Sequence, residues 1–362
     1  MKKDIKNIVF INNIVAPYRI PLFNELAKLF KDESIAMKVL FLSERESVRE
    51  WSIDYTKMKF DYKILPIVSQ KRDTKTTTSD KIVNKGYFKY LFAEKVVLFG
   101  YSYSTYLVFM ILRKLMFKDT ILFSESTISD KTRKQNILFK LKSIMIKKFF
   151  SSYIVPGYEA KKFIESYGVN PNQISIAQNA VEPFEKLNKE VKKDEYINIL
   201  YVGRLAKEKN IDFIINNIPK ESKFKYRLII VGTGSEMVRL KSIDTTYLIE
   251  FRGFEEGEKL ALTFKESDIF VLPSNSEPWG LVVNEAISMS LAPLVSDKVG
   301  CRHELVKENG RIFELNNVKD FQSKLKFISE NLKELKTNSF ELSQSITIEN
   351  QAKKIFKAIS NG

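Results

Sequence analysis

The sequence predicts an α/β protein made of two doubly wound domains. Runs typical of buried strands alternate with runs typical of amphipathic helices in both halves of the chain. The chain has 362 residues, more than a single hydrophobic core usually supports. Between the halves, residues 185–195 read EKLNKEVKKDE and contain few core-forming side chains, so they are predicted to be a linker.

In the first half, apolar runs bounded by polar residues predict strands and helices in alternation. The predicted strands cover residues 7–11, 36–42, 95–99, 120–123, 153–155 and 174–177. The predicted helices cover residues 20–30 and 106–117. The low-complexity run DTKTTTSDK at 73–81 is predicted to be a loop.

In the second half the same alternation is clearer. Strands are predicted at 196–202, 226–231, 250–253, 269–272 and 292–296. Helices are predicted at 210–218, at 259–267 and directly after Gly280. This order favours parallel sheets covered on both faces, and such sheets bind ligands at the carboxyl ends of their strands.

Composition excludes several kinds of site. The chain has one cysteine, Cys301, which cannot form an internal disulfide or make a metal site alone. The single histidine, His303, excludes mechanisms that need two histidines. The first apolar stretch contains Asn12, Asn13 and Arg19, unlike a secretory signal peptide, and no charge-free apolar run reaches about 18 residues. We therefore expect a cytoplasmic protein with no transmembrane helix.

The most informative segment is PSNSEPWGLVVNEAISMSLAPLVSD at 273–297, which places Glu277 and Glu285 around a Pro-Trp-Gly turn. A buried strand ends at Pro273, and an apolar helix begins at Gly280. The first amides of a helix are unpaired and favour an anion. Two carboxylates beside a phosphate would repel it, so they are better suited to accept hydrogen bonds from attached hydroxyls. A phosphate with hydroxyl-rich groups on both sides is a nucleotide sugar.

A second segment, YVGRLAKEKN at 201–210, supplies positive charge after a predicted strand. Gly203 allows a close backbone turn, and Arg204 and Lys209 follow it. An arginine presents a rigid fork to phosphate oxygens, and a lysine presents a movable point charge. The alternative is that both side chains are simply solvated at a strand end.

These segments together resemble retaining glycosyltransferases of family 4, which have the GT-B fold of two Rossmann-like domains facing across a cleft. The family pattern of an acidic residue, seven intervening residues and a Glu matches Glu277 and Glu285. The resemblance implies that Glu277 contacts the transferred sugar and that Glu285 binds the ribose. It also implies that the backbone amides of Gly280, Leu281 and Val282 hold the diphosphate.

By the same resemblance, Arg204 and Lys209 neutralise the donor diphosphate, so no metal or other cofactor is required. In VGTGSE, Gly232 and Gly234 would let the backbone approach the ligand. The backbone around Phe254, in RGFEEGEKL, would bind the base. Uracil and guanine both stay open, with UDP weakly favoured over GDP as the donor nucleotide.

The predicted linker places the domain boundary near Pro183, and the resemblance implies the role of each domain and the return of the last helix. The acceptor-binding domain would span residues 1–183 and the donor-binding domain residues 184–345. A final helix at 346–362, with apolar residues at helical spacing, would cross back to the first domain.

The first domain departs from the family pattern. The loop NNIVAPYRIPLFNELA at 12–27 contains no glycine, although it resembles a subset of bacterial polysaccharide transferases. Where the family often has a histidine near the reacting centre, SEST offers Glu125. Glu125 would either activate or orient the acceptor hydroxyl, or only bond neighbours such as Arg19. Ser290 also stands where the family usually has glycine, which we interpret as a packing difference.

Positive charge is concentrated in the first half of the chain. Residues 1–180 carry 31 Lys and Arg against 17 Asp and Glu, a net charge of +14, and the remaining residues carry +1. The lysines at 140, 142, 147 and 148 lie among large apolar residues, which is typical of attachment to an anionic membrane surface. The alternatives are lysines solvated on helices that pack on the sheet, or nucleic acid. We expect the membrane and no nucleic acid.

The sequence therefore predicts a retaining glycosyltransferase that moves a hexosyl or N-acetylhexosaminyl group. Its donor would be a nucleotide sugar, and its acceptor a lipid-linked glycan in bacterial capsule, lipopolysaccharide or exopolysaccharide assembly. We expect the enzyme to lie on the inner face of the plasma membrane. The alternatives are a transferase with a soluble sugar acceptor and a nucleotide-sugar epimerase of the same fold. The oligomeric state stays open.

Overall fold

The computed structural model describes residues 6–45, 52–71, 81–128, 137–184 and 195–361. The chain forms two compact units, one of Met1–Gln178 with Ile348–Gly362 and one of Asn179–Thr347. The limits expected from the sequence, after residues 183 and 345, lie within a few residues of these. Most of the predicted linker, residues 185–194, and most of the predicted loop, residues 73–80, lie outside the described residues.

The first unit contains a parallel seven-stranded sheet in the order β3-β2-β1-β6-β7-β8-β9. Its strands are β1 (Asn7–Ile14), β2 (Ala36–Ser43), β3 (Tyr62–Ile64), β6 (Lys95–Phe99), β7 (Ile121–Phe123), β8 (Ser152–Val155) and β9 (Ile174–Ile176). Two further strands, β4 (Ile67–Lys71) and β5 (Lys81–Asn84), form an antiparallel pair. The Asn84 side chain ties this pair to the sheet by donating to the Leu42 carbonyl at 2.7 Å.

In the described part of the first unit, five α-helices cover the two faces of this sheet. They are α1 (Ile20–Asp32), α2 (Ser104–Leu115), α3 (Ile137–Phe149), α4 (Tyr158–Ser166) and α12 (Ile348–Asn361). Helices α2, α3 and α4 pack on one face, and α1 and α12 pack on the other. In α12, Ala352, Ile355 and Ile359 are fully buried, and the Phe356 ring lies 4.9 Å from that of Phe30 on α1. The last helix therefore belongs to the core of the first unit.

The second unit contains a parallel six-stranded sheet in the order β12-β11-β10-β13-β14-β15. Its strands are β10 (Tyr196–Val202), β11 (Lys225–Val231), β12 (Leu248–Gly253), β13 (Ile269–Leu272), β14 (Ala292–Ser296) and β15 (Arg311–Phe313). Its helices are α5 (Ile211–Asn217), α6 (Met237–Lys241), α7 (Gly257–Glu266), α8 (Leu281–Ser288), α9 (Arg302–Leu305), α10 (Val318–Glu330) and α11 (Leu332–Ser345). The strand order reverses between β10 and β13, which defines a crevice at their carboxyl ends.

Most predicted elements are confirmed, and four strands, β6, β10, β13 and β14, have the predicted ends. The sequence missed β3 and β15, which are only three residues long, and the β4–β5 pair, whose connecting residues are polar. It also missed the short helices α4, α6 and α9, and the longer α10 and α11, in which polar residues outnumber the apolar ones. Ser290 adopts a left-handed conformation, with φ of 63°. The backbone thus offers a reason for a glycine at this position, beyond the packing difference expected from the sequence.

Among the described residues, no helix is both long and apolar enough to cross a membrane.

Candidate functional site

The carboxyl edge of the second sheet gathers most of the residues singled out in the sequence. Arg204 and Lys209 follow β10, and Glu277 follows β13, so they flank the point where the strand order reverses. Between β10 and α5, residues 207–209 form one turn of 3-10 helix. Asn210 ends this turn in a left-handed conformation, with φ of 55°, which Asn tolerates better than most residues.

The centre of this edge is an ion pair between Lys209 and Glu277. The Lys209 ammonium donates to Oε2 of Glu277, and the side chains are 16% and 15% exposed. The backbone amide of Asn275 also donates to the Glu208 carbonyl at 2.8 Å, so the two loops are joined by a main-chain hydrogen bond as well as by the ion pair. Because both charges are largely buried, removal of either one would leave the other uncompensated.

Arg204 is paired in a similar way. Its Nη2 lies 3.0 Å from Oε1 of Glu208, four residues later, and both side chains are about one-third exposed. Both predicted phosphate-binding cations therefore have carboxylate partners. The sequence analysis did not single out Glu208, although its spacing from Arg204 is compatible with such a pair.

The loop that carries Glu277 is fixed from its other side by the segment after β14. The Gly300 amide donates to the Glu277 carbonyl at 2.8 Å, and the Cys301 amide donates to the Trp279 carbonyl at 3.1 Å. A Cβ atom on Gly300 would lie 1.9 Å from the Pro278 carbonyl oxygen. Gly300 is thus needed for the close approach, and its only signal in the sequence is a glycine that follows a strand.

Helix α8 begins at this loop and presents its amino terminus there. Gly280 precedes the helix with φ of 94° and offers no side-chain cap. The Trp279 indole donates to Oδ1 of Asn284 at 2.9 Å, which fixes the turn against the first turns of the helix. The amides of Gly280, Leu281 and Val282 are positioned at the positive end of the helix dipole, where an anion is favoured.

Glu285 lies on the second turn of α8 and is half-buried. Burial raises the pKa of its carboxyl group to about 7. Its carboxyl group is therefore fully charged only above neutral pH, where the hydrogen bonds that it accepts from hydroxyls are strongest.

Gly232 and Gly234 have a clear role in packing the loops together. A Cβ atom on Gly232 would lie 1.9 Å from the Gly203 carbonyl oxygen, and one on Gly234 would lie 2.3 Å from that of Leu205. The Gly232 amide donates to the Gly253 carbonyl at 2.7 Å. The close approach that the glycines permit in this structure is to a neighbouring loop, in addition to the ligand contact expected from the sequence.

Phe254 follows β12 at the same edge, and its side chain is 45% exposed. The next residue, Glu255, is buried and accepts from the Thr263 hydroxyl at 2.7 Å. This bond anchors the loop to α7, so the backbone at Phe254 is held beside the glycines that follow β11.

Glu125 belongs to the first unit and forms an ion pair with Arg19, whose Nη2 lies 2.8 Å from Oε2. Of the two roles expected for Glu125, the structure contains the contact with Arg19. Within the described residues, no group of three or more His, Cys, Asp or Glu side chains is arranged to hold a metal ion.

Comparison with known proteins shows where the chain has relatives. Residues 183–340 match the family described as glycosyl transferases group 1. The O-antigen biosynthesis glycosyltransferase WbnH of Escherichia coli is 30% identical over 59% of this chain and 62% of its own length. An uncharacterized 41.2 kDa protein in the cps region of Klebsiella pneumoniae is 30% identical over 42% of this chain and 43% of its own. In such matches the chain spans between about a quarter and three-fifths of the length of the curated relative.

Solved structures match over nearly the whole chain. The lipopolysaccharide outer core galactosyltransferase WaaB is 16% identical, with a TM-score of 0.70 over 98% of this chain and 99% of its own. Anabaena Alr3699/HepE in complex with UDP is 12% identical, with a TM-score of 0.72 over 98% of this chain and 100% of its own. The chain has the GT-B fold, as the sequence predicted.

We predict that Gly300→Ala lowers the free energy of unfolding by about 1–3 kcal/mol, because the new methyl group overlaps the Pro278 carbonyl. Unfolding in urea measures the change. Gly257→Ala is the matched control, since no atom lies within 4 Å of its added Cβ and only its φ of 59° opposes the substitution. An unfolding midpoint for Gly300→Ala at or above that of the wild type would contradict the packing described for this loop.

Proposed function

We propose that this chain is a retaining glycosyltransferase that moves a sugar from a nucleotide diphosphate sugar to a lipid-linked glycan. The observation that carries the proposal is the convergence of Arg204, Lys209 and the uncapped start of α8 at the reversal point of the second sheet. Two cations and a helix amino terminus suit a diphosphate, and the adjoining Glu277 and Glu285 suit sugar and ribose hydroxyls. The match to glycosyl transferases group 1 over residues 183–340 supports this assignment.

Binding of the donor changes the partners of both cations. The diphosphate competes with Glu208 for Arg204 and with Glu277 for Lys209, because each pair lies where the phosphates would dock. Once Lys209 turns to phosphate, Glu277 is available to accept hydrogen bonds from the transferred sugar. The donor thereby creates its own sugar contact.

Stabilisation of the departing diphosphate is the main chemical requirement of the reaction. As the glycosidic bond to phosphate breaks, negative charge grows on the diphosphate, and Arg204, Lys209 and the α8 amides stabilise it. The acceptor hydroxyl attacks the sugar from the face that the diphosphate leaves. An oxygen of the departing diphosphate accepts the proton of that hydroxyl. Retention then needs no protein nucleophile and no metal ion.

UDP is the favoured donor nucleotide. The Anabaena Alr3699/HepE structure is a complex with UDP, and that of the pneumococcal O-GlcNAc transferase GtfA is a complex with UDP and GlcNAc. The proposed base-binding element is the backbone at Phe254, held by Glu255 and Thr263. The transferred group is a hexosyl or N-acetylhexosaminyl group.

The setting we propose is bacterial surface polysaccharide assembly. One relative is an O-antigen biosynthesis glycosyltransferase, and another is a protein in a cps region. These descriptions support a glycan acceptor. An acceptor on a lipid would lie at the inner face of the plasma membrane, so the enzyme would act there as a peripheral protein. A soluble sugar acceptor is the alternative, and no observation favours an epimerase.

The outer surface of α2 and α3 fits such a membrane. Both helices pack on the sheet, which is compatible with the alternative that their lysines are only solvated. They also expose large apolar side chains, which that alternative does not explain. Leu115 is 70% exposed on α2, and Leu141 and Ile144 are 57% and 58% exposed on α3. The lysines at 140, 142, 147 and 148 are exposed among them. Apolar side chains that insert and lysines that meet anionic lipid are the two components of interfacial binding.

We predict that Arg204→Ala and Lys209→Ala each reduce transfer at least about tenfold, because each removes a charge-assisted bond to the leaving diphosphate worth about 1.5–3 kcal/mol. Initial rates with a donor that the wild type turns over measure the effect. Lys207→Ala is the control, since Lys207 is exposed on the same 3-10 turn. Wild-type rates in both variants would remove the assignment of these cations.

We predict different effects for the two glutamates. Glu285→Gln weakens binding of UDP, because the ribose contact is present without the sugar. Glu277→Gln loses turnover but binds UDP at least as tightly as the wild type, since the carboxylate that competes for Lys209 is gone. The wild-type affinity for UDP falls as pH drops below about 7, because the raised pKa of Glu285 leaves its carboxyl protonated there. Calorimetry measures these affinities, and the same titration of the Glu285→Gln variant corrects for protonation of the ligand itself. Equal loss of UDP affinity in both variants would contradict the division of roles.

We predict binding to anionic but not neutral vesicles, with release at high salt as the Debye length falls from about 10 Å at 0.1 M to about 3 Å at 1 M. Reversing the charge of Lys140, Lys142, Lys147 and Lys148 together weakens flotation with the vesicles. The charge-matched control reverses four lysines of the second unit, those at 307, 319, 326 and 333. Equal binding to neutral vesicles, or no binding at low salt, would exclude this surface and leave the donor site unaffected.

A further inference from the structure

Arg19 is a buried cation at the carboxyl edge of the first sheet. It ends the short 3-10 turn Pro17–Arg19 that leads from β1 into α1, and it is only 6% exposed. Its guanidinium carbon lies 4.6 Å from the ring centre of Phe99 and 5.3 Å from that of Phe123. Because these are the last residues of β6 and β7, the cation is packed against the ends of two strands.

The ion pair with Glu125 extends this contact to a third segment. Glu125 lies just after β7, its side chain is 29% exposed, and its Oε2 lies 2.8 Å from Nη2 of Arg19. The sheet order around this point is β1-β6-β7, so the pair spans the end of β6. The order of strands reverses between β1 and β6, which is where a doubly wound sheet binds ligands.

Polar and aromatic side chains lie at this edge, and of these Asn13, Tyr18 and Tyr103 are half-buried. The Tyr18 ring lies 5.4 Å from the Arg19 guanidinium carbon. The Asn13 amide donates to the Tyr103 hydroxyl at 3.4 Å, and the Tyr103 ring meets that of Tyr106 edge-on at 5.6 Å. Aromatic rings with polar ends, beside an amide, are suited to a sugar bearing hydroxyl groups.

We infer that Arg19 and Glu125 form a positioning pair for the acceptor sugar, with Glu125 serving to hold Arg19 rather than to accept a proton. A guanidinium remains charged in proteins, so Arg19 when buried needs the carboxylate as a counter-ion. The oxygen nearest to it already accepts a charge-assisted hydrogen bond. The pair fixes the loop that carries Tyr18 against the ends of β6 and β7.

The same pair keeps a loop without glycine in one conformation at this edge. Pro17 begins the 3-10 turn, and Arg19 fastens its end to β6 and β7 through rings and charge. Displacement of Arg19 would release Tyr18 from the position it has in the structure, while the second unit carries the donor residues. The pair should therefore govern acceptor affinity and leave UDP affinity unchanged.

The test compares Glu125→Gln, Arg19→Met, Arg19→Lys and the Arg19→Met/Glu125→Gln double variant. It rests on the proposed function, and it uses a panel of n-octyl glycosides as acceptor probes and UDP as the donor-site probe. Glu125→Gln retains an oxygen for Arg19 but removes its counter-ion, so we expect the acceptor KM to rise less than in Arg19→Met, with the pH profile unchanged. Arg19→Met raises the acceptor KM about tenfold or more with UDP affinity unchanged, and Arg19→Lys restores part of the loss.

The double variant is expected to match Arg19→Met alone, because the two residues act as one unit. A loss of kcat of about a hundredfold or more in Glu125→Gln, with the acid limb of the pH profile abolished, would identify a general base and overturn the inference. Loss of UDP affinity in Arg19→Met would also overturn it.

If no octyl glycoside is an acceptor for the wild type, the pair is still tested by stability. The wild type, Arg19→Met, Glu125→Gln and the double variant are unfolded in urea, and non-additive changes support a coupled pair, whereas additive changes overturn it. This arm needs no activity, so failure of the proposed transferase function and failure of the positioning pair are distinguishable.

Discussion

Close packing of backbone on backbone at the carboxyl edge of the second sheet is the constraint on which the candidate donor site depends. The loops after β10, β11 and β14 approach their neighbours so closely that Gly232 and Gly300 leave no room for a Cβ atom. Hydrogen bonds between main-chain groups close the same contacts. Loops joined in this way cannot shift independently, so the backbone that carries the side chains of the site is held in one arrangement.

The charges of the site follow from that frame. Lys209 and Glu277 meet because the loops after β10 and β13 are tied by main-chain bonds, and Arg204 is satisfied by Glu208 on its own loop. Paired charges are tolerated in a partly buried site where single ones would be costly. A diphosphate offers the cations a second set of anionic partners, which makes an exchange of partners a natural route for recognition.

The two sheets have the same order of strands at their reversal points but stabilise the adjoining loops differently. In the second unit, glycines allow direct contact between main chains, and side chains remain available to a ligand. In the first unit, the Arg19 guanidinium joins the loop after β1 to the ends of β6 and β7 through its contacts with Phe99, Phe123 and Glu125. A guanidinium can hold a loop in place where close backbone contact is absent, because it forms an ion pair and stacks on aromatic rings at the same time.

The sequence by itself determined the fold class, most element positions and the identity of the proposed donor-site groups. Long apolar runs such as residues 269–272 and the Gly-Arg-Leu and Pro-Trp-Gly segments are local signals, so they can be identified without coordinates. Only the tertiary structure decided that Lys209 pairs with Glu277, that burial shifts the pKa of Glu285, and that Gly300 supports Pro278. Each of these depends on residues distant in sequence or on the surroundings of a side chain. Spacing along the chain contains no information about which loops meet when a sheet folds.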